Sequence, residues 1–153
     1  MIEAMVVIAI ITIMSMIVIP HVSGALARYH LREAARTVYS DFQLAKLTAI
    51  KEGSQCTVTF DNNGYAVYLD LNNNFSQDGS DIVIKTVNWS NFKKVQYKRT
   101  TFTGNAIGFL PDCRTASPGG GFGAGRVVLV SKGSNRINRL RIIVNSVGSI
   151  RVR

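Results

Sequence analysis

At 153 residues the chain is long enough for one domain with a modest core. Its 18 Lys and Arg against 9 Asp and Glu leave a net charge of +9, which suits an anionic partner, nucleic acid or lipid, or only a soluble basic surface. Two cysteines and two histidines (His21 and His30), none at metal-ligand spacing, and the lack of a nucleophile elbow around Ser131 argue against an enzyme.

The opening "MIEAMVVIAIITIMSMIVIP" is apolar without a break from Ala4 to Ile19 in all but Thr12 and Ser15, and carries no Lys or Arg. Such a run reaches roughly 25 Å as a helix, slightly short of the ~30 Å hydrocarbon core. It spans with help from its flanks or sits in a protein bundle. A single carboxylate, Glu3, stands at its tip, and an ionised group in apolar surroundings is costly unless paired.

The pattern predicts one long helix over about 2–52. Pro20 falls inside it and is expected to kink it or mark a joint. After Pro20, Val22, Leu26, Tyr29, Ala34, Val38, Phe42, Ala45 and Ala49 recur at mostly three- and four-residue steps, an amphipathic stripe that wants a sheet. Arg28, Arg32, Arg36, Lys46 and Lys51 lie mostly off that stripe, and Gly53 is a plausible C-cap. The chain therefore divides into a hydrophobic helix half (1–21) and a head (22–153).

From Gln55 the period changes to two. "QCTVTF" and "YAVYLD" flank "DNNG", a hairpin turn in which Gly64 is free to take positive φ. Further short strands are expected at "DIVIKTV", "KVQYK", "AIGFL", "RVVLVS", "RLRIIVN" and "SIRVR". "TASPGGGFGAG" (115–125) reads as a loop, too Gly-rich for a strand. The Gly run has no following Lys-Ser/Thr, so it is no phosphate loop.

Three candidate sites stand out. If the domain is exported, a Cys56–Cys113 disulfide is expected, joining the first strand to the loop after "GFLP"; two buried free thiols are the alternative. In "DLNNNFSQDGSD" (70–81), Asp70, Asn72, Asn74, Ser76, Asp78 and Asp81 fall at the alternating offsets of a calcium loop. Phe75 replaces the turn glycine there, Asp81 is shorter than the usual glutamate, and Asp and Asn also favour plain turns. Third, the chain has no acidic residue after Asp112 but eight basic ones. Arg139 and Arg141, and Arg151 and Arg153, alternate along strands and so share a face. They form either a phosphate-contacting stripe or a charged edge that deters aggregation.

The N-terminal stretch resembles that of type IV pilins and type II secretion pseudopilins. Ile2 and Glu3 match the family's Ile-Glu pair, "AMVVIAII" its apolar run, and Pro20 its proline. Met1 stands where the family has leucine, and the basic leader and Phe-Thr pair are missing, for which a late-called start is the favoured reading. The pieces "DFQLAKLTAIKEG", "CTVTF" and "VYLDLNNNFSQDGSDIVIKTV" resemble the GspH/FimT branch, so that the likeness covers residues 1–87 well and the rest loosely.

The resemblance implies an α+β, pilin-like fold: a long N-terminal helix packed on an antiparallel β head of two small sheets. It implies an inner-membrane subunit with a periplasmic head, later built into a pilus or pseudopilus with other pilin subunits. It also implies that Glu3 pairs with the N-terminal amine of a neighbouring subunit. The FimT side of the branch carries a Gly-Arg-x-Arg motif linked to DNA binding; "GSIRVR" (148–153) keeps only its Arg-x-Arg part. Two roles follow: a type IV minor pilin that primes assembly and binds double-stranded DNA, or a GspH-like pseudopilin. A reading of another class is an exported β-domain binding an anionic ligand, its N-terminus cleaved at "GALA" (24–27).

Overall fold

The computed structural model describes residues 2–132 and 138–153, with the side chains of 17–24 outside that description. Helix α1 runs from Ile2 to Glu52 and ends at Gly53, whose φ of 63° is the left-handed C-cap conformation. The helix is continuous through Pro20, with no interruption at the expected joint; the Pro20 side chain itself lies outside the described residues.

Among the described residues nine strands follow: β1 (Cys56–Phe60), β2 (Gly64–Leu69), β3 (Ile82–Asn88), β4 (Val95–Thr100), β5 (Ala106–Phe109), β6 (Thr115–Ala116), β7 (Gly125–Ser131), β8 (Arg139–Val144) and β9 (Ile150–Val152). They form two antiparallel sheets, ordered β3-β2-β1-β5-β6 and β4-β7-β8-β9. Every expected strand is present. The segment read as loop contributes β6, because Thr115 and Ala116 turn back to pair with Phe109 and Gly108 before the glycines begin.

Both sheets pack one face on the second half of α1. The helix buries Ala27, Leu31, Ala34, Ala35, Val38, Phe42, Ala45 and Ala49. Val22 of the expected stripe lies outside the described side chains, and after it the stripe is displaced. Leu26 and Tyr29 are exposed, and Ala27 and Leu31 take the inward positions. Alanines let the sheets approach closely, and the large inward ring of Phe42 fills the centre. Its centroid lies 5.9 Å from Phe60, 5.9 Å from Phe109 and 6.3 Å from Phe102. Val127, Leu129, Ile142 and Val144 close the core from the second sheet.

One ionic tie crosses this apolar layer. Asp41 of α1 is buried and accepts from Tyr65 Oη at 2.6 Å and from Lys85 Nζ at 2.6 Å. Burial, and then the bond to Asp41, hold the Tyr65 hydroxyl well above the usual phenol range. Gly64 is needed for a different reason from the one expected. Its φ is not positive; a Cβ there would overlap the Val87 carbonyl of β3.

The expected Cys56–Cys113 disulfide does not form, and both thiols are free. Cys56 shares the helix-facing side of β1 with Val58 and Phe60 and is wholly buried. Cys113 sits in the tight turn between β5 and β6, at φ 68°, with its N–H bonded to the Leu110 carbonyl. Burial pushes the Cys56 thiol up to about 12.

Candidate functional site

The pairing of β7, β8 and β9 decides where the C-terminal arginines go. Arg141 stands opposite Val128 on β7 and exchanges backbone hydrogen bonds with Arg153 beyond β9; Ile143 stands opposite Arg151. Ile142 and Val144 face the helix, so by strand alternation Arg139 and Arg141 face away from it, and Arg151 and Arg153 with them. The four arginines expected to share a face do so.

The same register adds two that the sequence pattern did not single out. Arg126 is opposite Ile143, and Arg99 is opposite Val128 on the other side of β7. Arg126 was obscured because "RVVLVS" is apolar on both faces. Arg99 was obscured by the irregularity between Tyr97 and Arg99, which breaks simple alternation in β4. The outer face of the second sheet thus carries Arg99, Arg126, Arg139, Arg141, Arg151 and Arg153. Among the described residues none of these six has a carboxylate within ion-pair distance. The buried outward positions Val128 and Val130 are the apolar floor beneath them; long arginine stems suit such a floor.

β9 is the edge of its sheet and also borders α1. A groove of about 650 Å³ runs between them, lined by Arg32, Arg36 and Tyr39 of the helix and, on the strand side, by the helix-facing Leu140, Ile150 and Val152 together with Arg151 and Arg153. Two smaller depressions continue it along the helix past Arg28, Tyr29 and Glu33. Lys46 Nζ donates to the Gly148 carbonyl at 3.2 Å, which ties the turn before β9 to α1. The helix arginines, which lie off the apolar stripe, are therefore beside the C-terminal ones.

The Asp/Asn-rich loop is organised inward. Asp70 is wholly buried; one carboxylate oxygen accepts from Gln55 Nε2, Thr57 Oγ1 and the Phe75 N–H, the other from the Asn74 N–H. Phe75, in the place of the missing turn glycine, takes φ 59°. Its ring lies over Gly108, where a Cβ would come within 3.0 Å of it. Asp78 accepts from the Ser80 hydroxyl and N–H, and then from Asn72 and Asn74, which hold its carboxyl well below the usual carboxylate range. Asp81 accepts from the Leu71 and Asp78 N–H groups. Asp70, Asp78 and Asp81 do not come together as a ligand set: among the described residues no three His, Cys, Asp or Glu side chains form a group able to hold a metal ion. The loop's own donors occupy its carboxylates.

Glu3 lies in the first turn of α1, where a carboxylate is favoured by the helix dipole. Around it Ile2, Met5, Ile8, Ile11 and Met14 are all exposed. Among the described residues no helix is long and apolar enough to cross a membrane; the apolar run continues into 17–24, whose side chains lie outside them.

A long helix whose second half is clasped by two antiparallel sheets, and whose first turns, through Met16, are exposed and apolar, is the architecture of a pilin-like subunit. The family model for the type II transport protein GspH matches residues 34–148, and the chain belongs to that family. It is thus a structural subunit of the pilin or pseudopilin kind, in type II secretion or type IV pili, that assembles with others of its kind. Comparison with curated proteins and with solved structures found no match.

Proposed function

We propose that this chain is a minor pilin of a type IV pilus, held in the inner membrane with its head in the periplasm and then built into the filament, where its head captures double-stranded DNA. The observation that carries the reading is the six-arginine outer face of the second sheet, without a carboxylate partner among the described residues. Guanidinium groups suit phosphate oxygens, and contacts of this type position a duplex without reading its sequence. A pseudopilin of a secretion system has no such need of a polyanion-binding face, so the basic charge favours the pilus over type II secretion.

Assembly, and the priming of it, rests on α1. Its bare apolar half supplies the packing surface, and Glu3 pairs with the N-terminal amine of a neighbouring subunit to set the register. Pro20 belongs to the same half. Cleavage at "GALA" fits poorly: α1 continues through it into buried Ala27 and Leu31.

The test is a mobility shift with the full chain in detergent, duplex DNA at low and high salt, and an Arg151→Ala/Arg153→Ala double variant. Binding that falls steeply with salt and with the substitutions supports the reading. A wild-type protein that leaves the duplex unshifted at low salt removes DNA capture and returns the chain to assembly priming or the secretion pseudopilus.

A further inference from the structure

The groove between α1 and β9 extends the arginine face onto a second element. This inference rests on the DNA reading above and concerns how the duplex is held. Arg28, Arg32 and Arg36 recur every four residues, so they rise in a row about 6 Å apart on one side of the helix. All three are exposed. Arg32 and Arg36 line the groove whose other wall is the edge of β9, which carries Arg151 on its outer face with Arg153 just beyond. On the far side of β9, one strand spacing away, β8 carries Arg139 and Arg141. β9 therefore runs between two basic rows.

Strand β9 is held in place by residues outside those rows. Lys46 bonds the Gly148 carbonyl, and a Cβ at Gly148 would overlap the Cys113 carbonyl, so the turn is fixed against both the helix and the β5–β6 turn. Ile150 is buried against the core. The one carboxylate lining the neighbouring depressions is Glu33, which faces His30 Nδ1 at 3.3 Å.

We infer that duplex DNA lies along β9 with one phosphodiester strand on the Arg28, Arg32 and Arg36 row and the other on the Arg139 and Arg141 row. Two flanking rows match a partner with two backbones. A single strand would fill one row and leave the other idle. Contacts to both backbones carry no base recognition, so the binding is independent of sequence.

The number of phosphates neutralised is read from salt dependence, since each contributes about 0.9 to the slope of log affinity against log salt. The experiment uses the full chain in detergent, a labelled duplex of about twenty base pairs and the corresponding single strand, titrated across sodium chloride. An Arg28→Ala/Arg32→Ala/Arg36→Ala variant is expected to lose about 3 from the duplex slope and about tenfold or more in affinity at moderate salt. The matching Lys triple variant keeps the slope, which separates lost charge from a damaged helix. A helix variant with wild-type slope and affinity, beside an Arg139→Ala/Arg141→Ala variant that binds poorly, overturns the two-row inference and leaves the sheet face as the DNA site. Single strand bound as tightly as duplex, and lost in Tyr29→Ala, also overturns it, because the groove is then a stacking platform. A wild-type chain that binds neither probe sinks the DNA reading itself.

Discussion

Arg141 and Arg153 face each other across the edge of the second sheet, joined by two backbone hydrogen bonds of 2.6 and 2.8 Å, Arg141 N–H to Arg153 O and Arg153 N–H to Arg141 O. Two like charges are thus held side by side, an arrangement that costs folding energy. Arg153→Gln is expected to stabilise the head by about 0.2–0.5 kcal/mol at low salt. The gain should vanish near 0.5 M sodium chloride, as screening already relieves the wild type. Thermal unfolding of the two proteins at both salts checks this, and equal midpoints at low salt would show that the pair carries no strain.

The tie from Asp41 to Tyr65 and Lys85 predicts an asymmetric response. Asp41 is almost fully enclosed, whereas the Lys85 side chain is 38% exposed. Asp41→Ala leaves a buried hydroxyl unpaired and a cation without its partner, at a cost of about 3 kcal/mol. Lys85→Ala should cost only about 1 kcal/mol, since water reaches the vacated side. Urea denaturation of both variants measures the difference; equal costs would mean that the tie is no more than a surface ion pair.

Cys56 and Cys113 should differ in reactivity. Intact mass without reductant is expected to show two free thiols, and alkylation at pH 8 should label Cys113 and spare Cys56. The buried thiol also gives a pH dependence. An unfolded chain releases that proton near 9.0, while the folded one holds it to about 12. The unfolded state therefore binds fewer protons between those values, and stability falls as pH rises through that window. Cys56→Ala removes this part of the alkaline loss, which stability curves from pH 8 to 11 would register.

The Asp70 loop should behave as one unit. Asp70→Ala leaves Gln55, Thr57 and two loop N–H groups without their acceptor, and is expected to cost about 3 kcal/mol or more. Phe75→Gly relieves a left-handed backbone but gives up the ring's seat on Gly108, so the two effects oppose and the net change should stay within about 1 kcal/mol. Asp78 is held ionised by its donors, so its contribution is present above the ordinary carboxylate range and is lost only as pH falls well below it. Amide resonances of Asn74 and Ser80 followed by NMR from pH 7 to 2 would report this order.

Helix, strands and their sequence were legible because each rests on local period. The 3.6-residue stripe in 31–49 and the alternation in "QCTVTF", "YAVYLD" and "RLRIIVN" survive in the fold almost unchanged. Errors came where a local pattern had two solutions. Leu26 and Tyr29 look as apolar as Ala27 and Leu31, and only contact with the sheets selects the smaller pair. Gly64 looks like a turn glycine, yet what requires it is the carbonyl of a strand more than twenty residues away.

The chain's chemistry, its uneven charge and its bare apolar N-terminal run are written in the order of residues and need no fold to be read. Alternation alone put Arg139 with Arg141, and Arg151 with Arg153. Long-range pairing did the rest. The β7–β8–β9 register brings Arg126 and Arg99 to the same face, and the docking of β9 beside α1 sets Arg32 and Arg36 across a groove from Arg151 and Arg153, more than a hundred positions away. The same distance between strand order and chain order explains the free cysteines: no local rule could say that Cys56 faces the helix while Cys113 is held in an outer turn.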